Sequence, residues 1–334
     1  MAAVLVLAFV ARHVVRTWNE LGSDGAELTF RPGWFAVSGL VYLIGLAFCG
    51  AFYRDVVGRG PTSIPRFAAQ RAYLVSHLGK YVPGKAMVVV MRAALSRPYG
   101  ARASTSAVAT FYETLVMMAS GAVLAAALFA LGGESPVVRP PRPILGVEEV
   151  RAFPLFAIVS AGLGAAFLTL VSPPVFRKAA GTLLRRVPGV GSDAMPAIDW
   201  RLLARGLVLT GVSWLFLGAS QVAAARGLAG PGSIEVGLAA VPVATASVAL
   251  ATVAGFAVAI APGGLGVREA VLMYALGPAF GPALATASAL ALRLAWVAAE
   301  LSMALVLVPL GASASERVAT AEAIQEAVPI SEAP

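Results

Sequence analysis

Six stretches of this chain, from about Gly33 to Tyr53, Thr105 to Leu131, Phe153 to Val171, Leu202 to Ala225, Val236 to Ala261 and Ala283 to Leu310, are long, apolar and nearly free of charge. A hydrocarbon layer of about 30 Å takes roughly 20 helical residues to cross, and each stretch supplies about that many. Lipid is therefore the main solvent, and the expected fold class is all-α: a polytopic integral membrane helical bundle. Composition agrees, since 59% of residues are hydrophobic and 13% charged with a mean hydropathy of +0.83, whereas soluble domains carry about a quarter charged residues. The opening segment, "MAAVLVLAFVARHVVRTW", has no basic region ahead of its apolar part and no convincing small-residue cleavage site. It reads as a first membrane segment, which brings the total to about seven spans. Its apolar part is short and contains Arg12 and His13, so a start further upstream stays open.

The formal net charge is +8, but the basic residues lie between apolar runs and not on a polar domain with aromatic stacking platforms. Anionic lipid is the partner this pattern points to, not nucleic acid. Cys49 is the only cysteine, which rules out an intrachain disulfide and a multi-cysteine zinc site, and no other spacing suggests a metal or a cofactor. Alanine and glycine are abundant inside the runs, as expected where helices pack closely in lipid.

Loop charge orients the bundle. Residues 54–80 carry Arg54, Arg59, Arg66, Arg71 and Lys80 against Asp55, and residues 173–205 carry Arg177, Lys178, Arg185, Arg186, Arg201 and Arg205 against Asp193 and Asp199. Both are expected on the cytoplasmic side of a cell (inner) membrane. Residues 18–33 and the Pro-rich stretch 132–152 are acidic or balanced and read as external, although Arg12 and Arg16 argue weakly against an inside N-terminus. Residues 1–312 form the membrane domain; the polar, acidic tail 313–334 has no core-forming pattern and is expected to be disordered.

Two segments break the simple pattern. In "YVPGKAMVVVMR", residues 81–92, Pro83 lacks an amide proton and Gly84 tolerates positive φ, so one helix stops and another begins. The run Ala86 to Leu95 is only about 15 Å of helix, too short to cross. Ahead of it, "RFAAQRAYLVSHLGK" places Arg66, Gln70, Tyr73, His77 and Lys80 on one stripe at about 100° per residue, with Phe67, Leu74, Val75 and Leu78 opposite. That pattern predicts an interfacial or partly inserted amphipathic helix, with Arg71 on its apolar side snorkelling or facing a partner. The same device returns in "APGGLGVRE": Pro262, Gly263, Gly264 and Gly266 unwind the chain, and a second half-helix runs from Val267 to Leu276. Such breaks are tolerated in lipid only where protein or a water-filled cavity satisfies the backbone, and each new helix aims its amide-rich, positive end into that space. Glu113 follows Gly84 by 29 residues and Arg293 follows Gly263 by 30, a weak internal repeat of the kind that marks transporter sites.

Charges inside spans are functional candidates by default, because an unpaired one costs about 2.5–3.5 kcal/mol at mid-bilayer. They are Glu113 in "TFYETLVMM" and, seven apart on one helical face, Arg293 and Glu300 in "LRLAWVAAEL". Bland readings stand beside these: a Pro-Gly pair marks many ordinary loops, the three charges can be pairs that only fix helix register, and Met117 and Met118 read as packing. His13 and His77 read as interfacial, and Arg97 and Arg102 as headgroup contacts.

"YLVSHLGKYVPGKAMVVVMR", the acid in "FYETL" and "APGGLGVRE", in that order across nearly the whole chain, resemble the flippase-like transmembrane domain of lysylphosphatidylglycerol synthases, which also occurs as a stand-alone membrane protein. In bifunctional members such a domain moves aminoacylated phosphatidylglycerol between leaflets while a soluble domain makes it. No soluble acyltransferase-like domain is seen in this sequence, so the resemblance implies translocation and not synthesis. The short first segment and the reduction of an often acidic stretch to Glu113 depart from the family pattern.

The expected function is recognition of an anionic phospholipid or lipid-linked headgroup and help with its passage between leaflets. Gly84, Lys85, Gly264 and Arg268 at the half-helix starts, with Arg92 and Arg293, supply the positive charge, while Pro83, Gly263 and Gly266 shape the breaks and Tyr81 borders the site. Glu113, Glu269 and Glu300 hold the arginines in the empty state or carry protons. The rival readings are an intramembrane lipid-modifying transferase, for which a positioned nucleophile or base is lacking, and a scaffold subunit of a lipid-linked glycosyltransferase complex. A homo-oligomer, a partner lipid-synthesis enzyme, and the topology after Val236, re-entrant or crossing, stay open.

Overall fold

The computed structural model describes residues 28–81, 86–132, 137–138, 150–186, 195–230, 236–257 and 267–310, with only the backbone of residues 137–138, 150, 267, 269 and 270. The N-terminal segment, the tail and both breaks, with Pro83, Gly84, Lys85, Gly263, Gly264 and Gly266, lie outside them. Ten helices follow in order: α1 (Pro32–Val57), α2 (Arg66–Ser76), α3 (Met87–Ser96), α4 (Ala103–Leu131), α5 (Ala152–Val171), α6 (Pro173–Leu184), α7 (Trp200–Leu228), α8 (Val241–Ala257), α9 (Val267–Phe280) and α10 (Pro282–Leu310). A 3-10 turn (His77–Tyr81) extends α2, and another (Leu238–Ala240) leads into α8. Six segments are long and apolar enough to cross a membrane, namely α1, α4, α5, α7, α10 and Leu238–Ala257. The chain is an all-α polytopic membrane bundle; among the described residues its extended pieces are a two-residue pair, Val137–Val138 with Val150–Arg151, between α4 and α5, and a single bridge from Leu28 to Ala229.

The centre of the bundle is the antiparallel pair α1 and α7. Ser38 and Ser220 bond reciprocally across it, each hydroxyl donating to the other's carbonyl at 2.9 Å. Bare backbone lets the helices close: a Cβ on Gly206 would lie 2.2 Å from the Phe52 ring, and one on Gly45 would lie 2.7 Å from Leu217. In lipid this close fit, not hydrophobic exclusion, holds helices together. The two ends of the pair are fastened differently. At one end Arg59 meets Asp199 at 3.0 Å and Arg205 meets Asp55 at 2.6 Å. Asp199 also caps α7, accepting from the Leu202 amide at 2.7 Å. That amide bond, aided by Arg59 and Arg201, holds the exposed Asp199 carboxyl below its usual range, so the cap is complete at neutral pH and is lost as acid titrates it. At the other end the chain entering α1 pairs backbone to backbone with the end of α7, the Thr29 amide on the Leu228 carbonyl (3.0 Å) and the Arg31 amide on the Gly227 carbonyl (2.9 Å). The first end is called the basic end below.

Contacts fix the direction of the remaining elements. From the basic end, α2 and its 3-10 turn run into the bundle and α3 runs back, so that Ser96 reaches the Tyr53 hydroxyl near the end of α1 (2.9 Å). The arms cross tightly, since a Cβ on Gly79 would sit 2.6 Å from the Val88 nitrogen. The helix expected from residues 66–80 is thus the inserted arm of a hairpin, and its polar stripe is turned inward, not toward headgroups: Gln70 donates to the Ala47 carbonyl at 2.8 Å, Tyr73 to Glu113 and Lys80 to Glu300. Gln70, Tyr73 and Lys80 each have a partner on another helix, which lipid rewards more than an interfacial position. Arg71 faces a partner as well, donating to the Leu307 and Val308 carbonyls near the end of α10.

The second hairpin enters from the opposite end. Thr245, early in α8, packs on Gly218 of α7, while Phe256, near its far end, lies 6.0 Å ring to ring from Phe167 in the basic-end half of α5. Helix α9 starts beside Thr252, to which Arg268 donates at 3.2 Å, and returns. It continues through Pro278 to Phe280, a turn beyond the expected end. Gly281, at φ +79, supplies the left-handed residue that reverses the chain into α10. Helix α10 then runs the whole bundle toward the basic end, where Leu307 meets Arg71. Helices α8 and α9 thus pack as the two arms of a hairpin, an arrangement that fits the re-entrant one of the two alternatives left by the sequence. The basic segment 173–184 is helical, not a loop, and lies along the end of α5 with Arg177 and Lys178 exposed.

Candidate functional site

The inserted arm of the first hairpin delivers two hydrogen-bonding groups to one carboxylate. Glu300, 2% exposed on α10, accepts from Lys80 Nζ at 2.5 Å, from the Tyr81 hydroxyl at 2.9 Å and from the Tyr42 hydroxyl of α1. Aromatic faces surround the ammonium: Lys80 Nζ lies 5.1 Å from the Tyr81 ring centre and 6.0 Å from that of Tyr42. Tyr42 stacks on Trp296 at 4.3 Å, and Trp296 in turn donates to Ser220. The second hairpin arrives at the same place. Arg268, the second residue of α9, holds its guanidinium 5.6 Å from the Trp296 ring and within electrostatic reach of Tyr42, Lys80 and Tyr81. Arg293 acts on Lys80 and Tyr81 as well. Residues flanking both breaks thus meet in one region: Lys80 and Tyr81 hold Glu300, and Arg268 and Arg293 lie within electrostatic reach of Lys80 and Tyr81. A carboxylate held by charge-assisted bonds inside lipid is stable only while those donors stay in place.

A second polar cluster lies nearer the basic end. Glu113, 1% exposed on α4, pairs with Arg92 of α3 at 3.3 Å and accepts from the Tyr73 hydroxyl at 3.0 Å. Arg92 donates through Nε to Ser76 at 3.0 Å and packs its guanidinium 4.2 Å from the Tyr73 ring and 5.1 Å from that of Tyr53. The sequence grouped Arg92 with Arg268 and Arg293 as a headgroup ligand held by an acid in the empty state; here Glu113 holds it, and the pair ties α3 to α2 and α4. His77 lies between the clusters, not at the interface, within electrostatic reach of Lys80 and Arg92, and its buried Nδ1 has no hydrogen-bond partner among the described residues.

Of the residues expected from sequence, Tyr81, Arg268, Arg293 and Glu300 come together, and Arg92 and Glu113 form the neighbouring pair. Tyr42 and Trp296 were missed as members of the centre, and Lys80 was seen only as one of the basic residues beside the first break. Lys80 and Tyr81 sit seven residues after Tyr73 and one further on, so the inward stripe of α2 was the available signal; Tyr42 in an apolar run reads as packing until its hydroxyl has a partner. Met117 and Met118 are core packing, with Cys49 buried against Met117. Among the described residues no group of three or more His, Cys, Asp or Glu side chains is gathered to hold a metal ion.

No curated protein matches the chain. A family model described as the lysylphosphatidylglycerol synthase TM region matches residues 1–299. With that match spanning most of a multi-pass helical bundle, the chain belongs to the lysylphosphatidylglycerol synthase transmembrane-region family.

Proposed function

We propose that this protein binds the anionic headgroup of a phospholipid or lipid-linked substrate at the Glu300 centre and assists its passage between leaflets. The observation that supports the reading most is the burial of Glu300 with Lys80 paired to it and with Arg268 and Arg293 within electrostatic reach of Lys80 and Tyr81, so that residues from both hairpins meet in one region. Glu300 stands where a phosphate would stand: it is an internal anion that takes the hydrogen bonds of Lys80, Tyr42 and Tyr81. An arriving headgroup exchanges with it, so the cations are never left unanswered and the cost of carrying charge through lipid falls. The role is that of a carrier and not of an enzyme, in a cell membrane with the basic end toward the cytoplasm.

The test is scrambling of fluorescent phosphatidylglycerol in vesicles containing the purified protein. The parent accelerates it, and Arg268→Ala abolishes the acceleration while Arg177→Ala, on α6, leaves it intact. Equal rates for Arg268→Ala and parent overturn the assignment, and new headgroup species detected by mass spectrometry after overexpression turn the reading to a transferase.

A further inference from the structure

The inward stripe of the first hairpin carries one group that neither buried acid claims. Tyr73 bonds to Glu113 on α4, and Lys80 and Tyr81 bond to Glu300 on α10. His77 stands between them. It follows Tyr73 by one helical turn, with the two rings 5.3 Å apart and tilted by 37°. It also opens the 3-10 turn His77–Tyr81, in which side chains three apart lie one above the other, so it shares a column with Lys80. Its Nδ1 is buried and has no hydrogen-bond partner among the described residues. An apolar side chain at this position would avoid the cost of that unmet nitrogen.

The turn packs on α2, α3 and α10. The charged and titratable groups around it are Tyr73 from α2, Arg92 from α3, Lys80 and Tyr81 from the turn itself, and Glu300 from α10. Beyond Lys80 lie Tyr42 of α1, Arg268 of α9 and Arg293 of α10. The two groups whose charge acts on the imidazole, Lys80 and Arg92, are both cations. Each already has an acid, and the oxygens of those acids are engaged: Glu113 by Arg92 and Tyr73, Glu300 by Lys80 and Tyr81. The two ion pairs beside His77 are therefore each neutral, and the ring has no carboxylate of its own.

A phosphodiester that enters this region adds one negative charge to a space enclosed in lipid, where an uncompensated charge is costly. Histidine is the side chain whose ordinary titration falls between about pH 5 and 8. The chain has two, His77 and His13, and the latter lies outside the described residues. We infer that His77 binds the proton that accompanies an anionic headgroup, taking it up as the phosphodiester arrives and releasing it as the headgroup leaves. The proton comes from water and adds to the free ring nitrogen; no other bond forms or breaks. An added anion favours an imidazolium beside it, and by linkage the imidazolium favours the anion. Headgroup and proton then travel together, and the net charge enclosed in lipid does not change. The inference rests on the lipid-binding reading above and adds the proton as a second substrate.

The test is calorimetry of dihexanoylphosphatidylglycerol binding to the full chain in phosphatidylcholine nanodiscs, run in phosphate and in Tris, whose ionisation heats differ. The parent takes up a proton on binding, and its affinity falls by up to about tenfold per pH unit as pH rises, the slope that one linked proton imposes. His77→Gln, and His77→Asn as an independent variant, bind with no uptake and a flat pH profile, while His13→Gln behaves as the parent. Imidazole nitrogen NMR of the His13→Gln protein reports His77 alone, and its signals move to the imidazolium position when the lipid is added. Uptake that persists in both His77 variants, or signals that do not move, overturn the inference. Binding and scrambling without proton uptake by the parent remove the inference and keep the carrier reading. Uptake on binding in a protein that does not scramble phosphatidylglycerol removes the carrier reading and keeps the proton site, and a parent that does not bind the lipid removes both.

Discussion

Arg92 has 1% of its surface exposed, so its charge must be answered by protein atoms alone. Glu113, Ser76 and two tyrosine rings do so. Breaking a buried pair on one side leaves a bare charge and costs about 3–5 kcal/mol, whereas replacing both members by apolar groups of similar size is often close to neutral. Glu113→Leu is therefore expected to lower the thermal unfolding midpoint sharply in detergent, and Arg92→Met added to it is expected to restore most of the loss; a double variant no better than the single one contradicts this account. The acids Glu113 and Glu300 were legible in the sequence, because a carboxylate in an apolar run has few bland explanations. That they would hold arginines was also expected, but which cation meets which acid was not legible. Lys80 looked like one of several basic residues near a break, and Arg92 like a ligand, because which helix a half-helix leans on is decided by packing and not by local pattern.

At the scale of elements, the first hairpin depends on one bare residue. A Cβ at Gly79 meets the Val88 nitrogen at 2.6 Å and the Met87 carbonyl carbon at 2.8 Å, and backbone on both arms cannot move aside cheaply. Gly79→Ala is expected to destabilise by about 1–3 kcal/mol and to part the arms, seen as loss of the Lys80–Glu300 contact by cross-linking. Gly181→Ala on α6 meets nothing within 4 Å and is expected to be neutral or to stabilise by up to about 1 kcal/mol, as a helix-interior glycine replacement does. Thermal unfolding of the two variants separates these outcomes. All six expected apolar runs recur as helices with boundaries shifted by a few residues, while α6 (173–184) fell in a stretch read as loop because its charge, and not an apolar run, marks it. The amphipathic stripe of α2 was also seen, but its direction was not: a polar face in a membrane protein points to headgroups or to a protein interior, and only the presence of Glu113, Ala47 and Glu300 opposite it decides which.

For the whole molecule, the re-entrant course of α8 and α9 puts the end of α10 at the basic end, together with α6. Single cysteines at Leu310 and Leu183, both exposed, are expected to react with a membrane-impermeant thiol reagent from the same side of sealed vesicles; labelling from opposite sides would return α8 and α9 to the crossing alternative. The sequence held this question open because a run of helical length ending in a glycine-rich break fits either course. The two fastenings of the α1–α7 pair have one more result. Arg59–Asp199 and Arg205–Asp55 are partly solvated ion pairs, weakened as salt shortens the reach of charge, while the clasp from Thr29 and Arg31 to the end of α7 is made of amide bonds that salt scarcely touches. Ionic strength therefore acts on the central pair as it would on a hinge, loosening the leaf that faces the basic loops and leaving the pin at the far end in place.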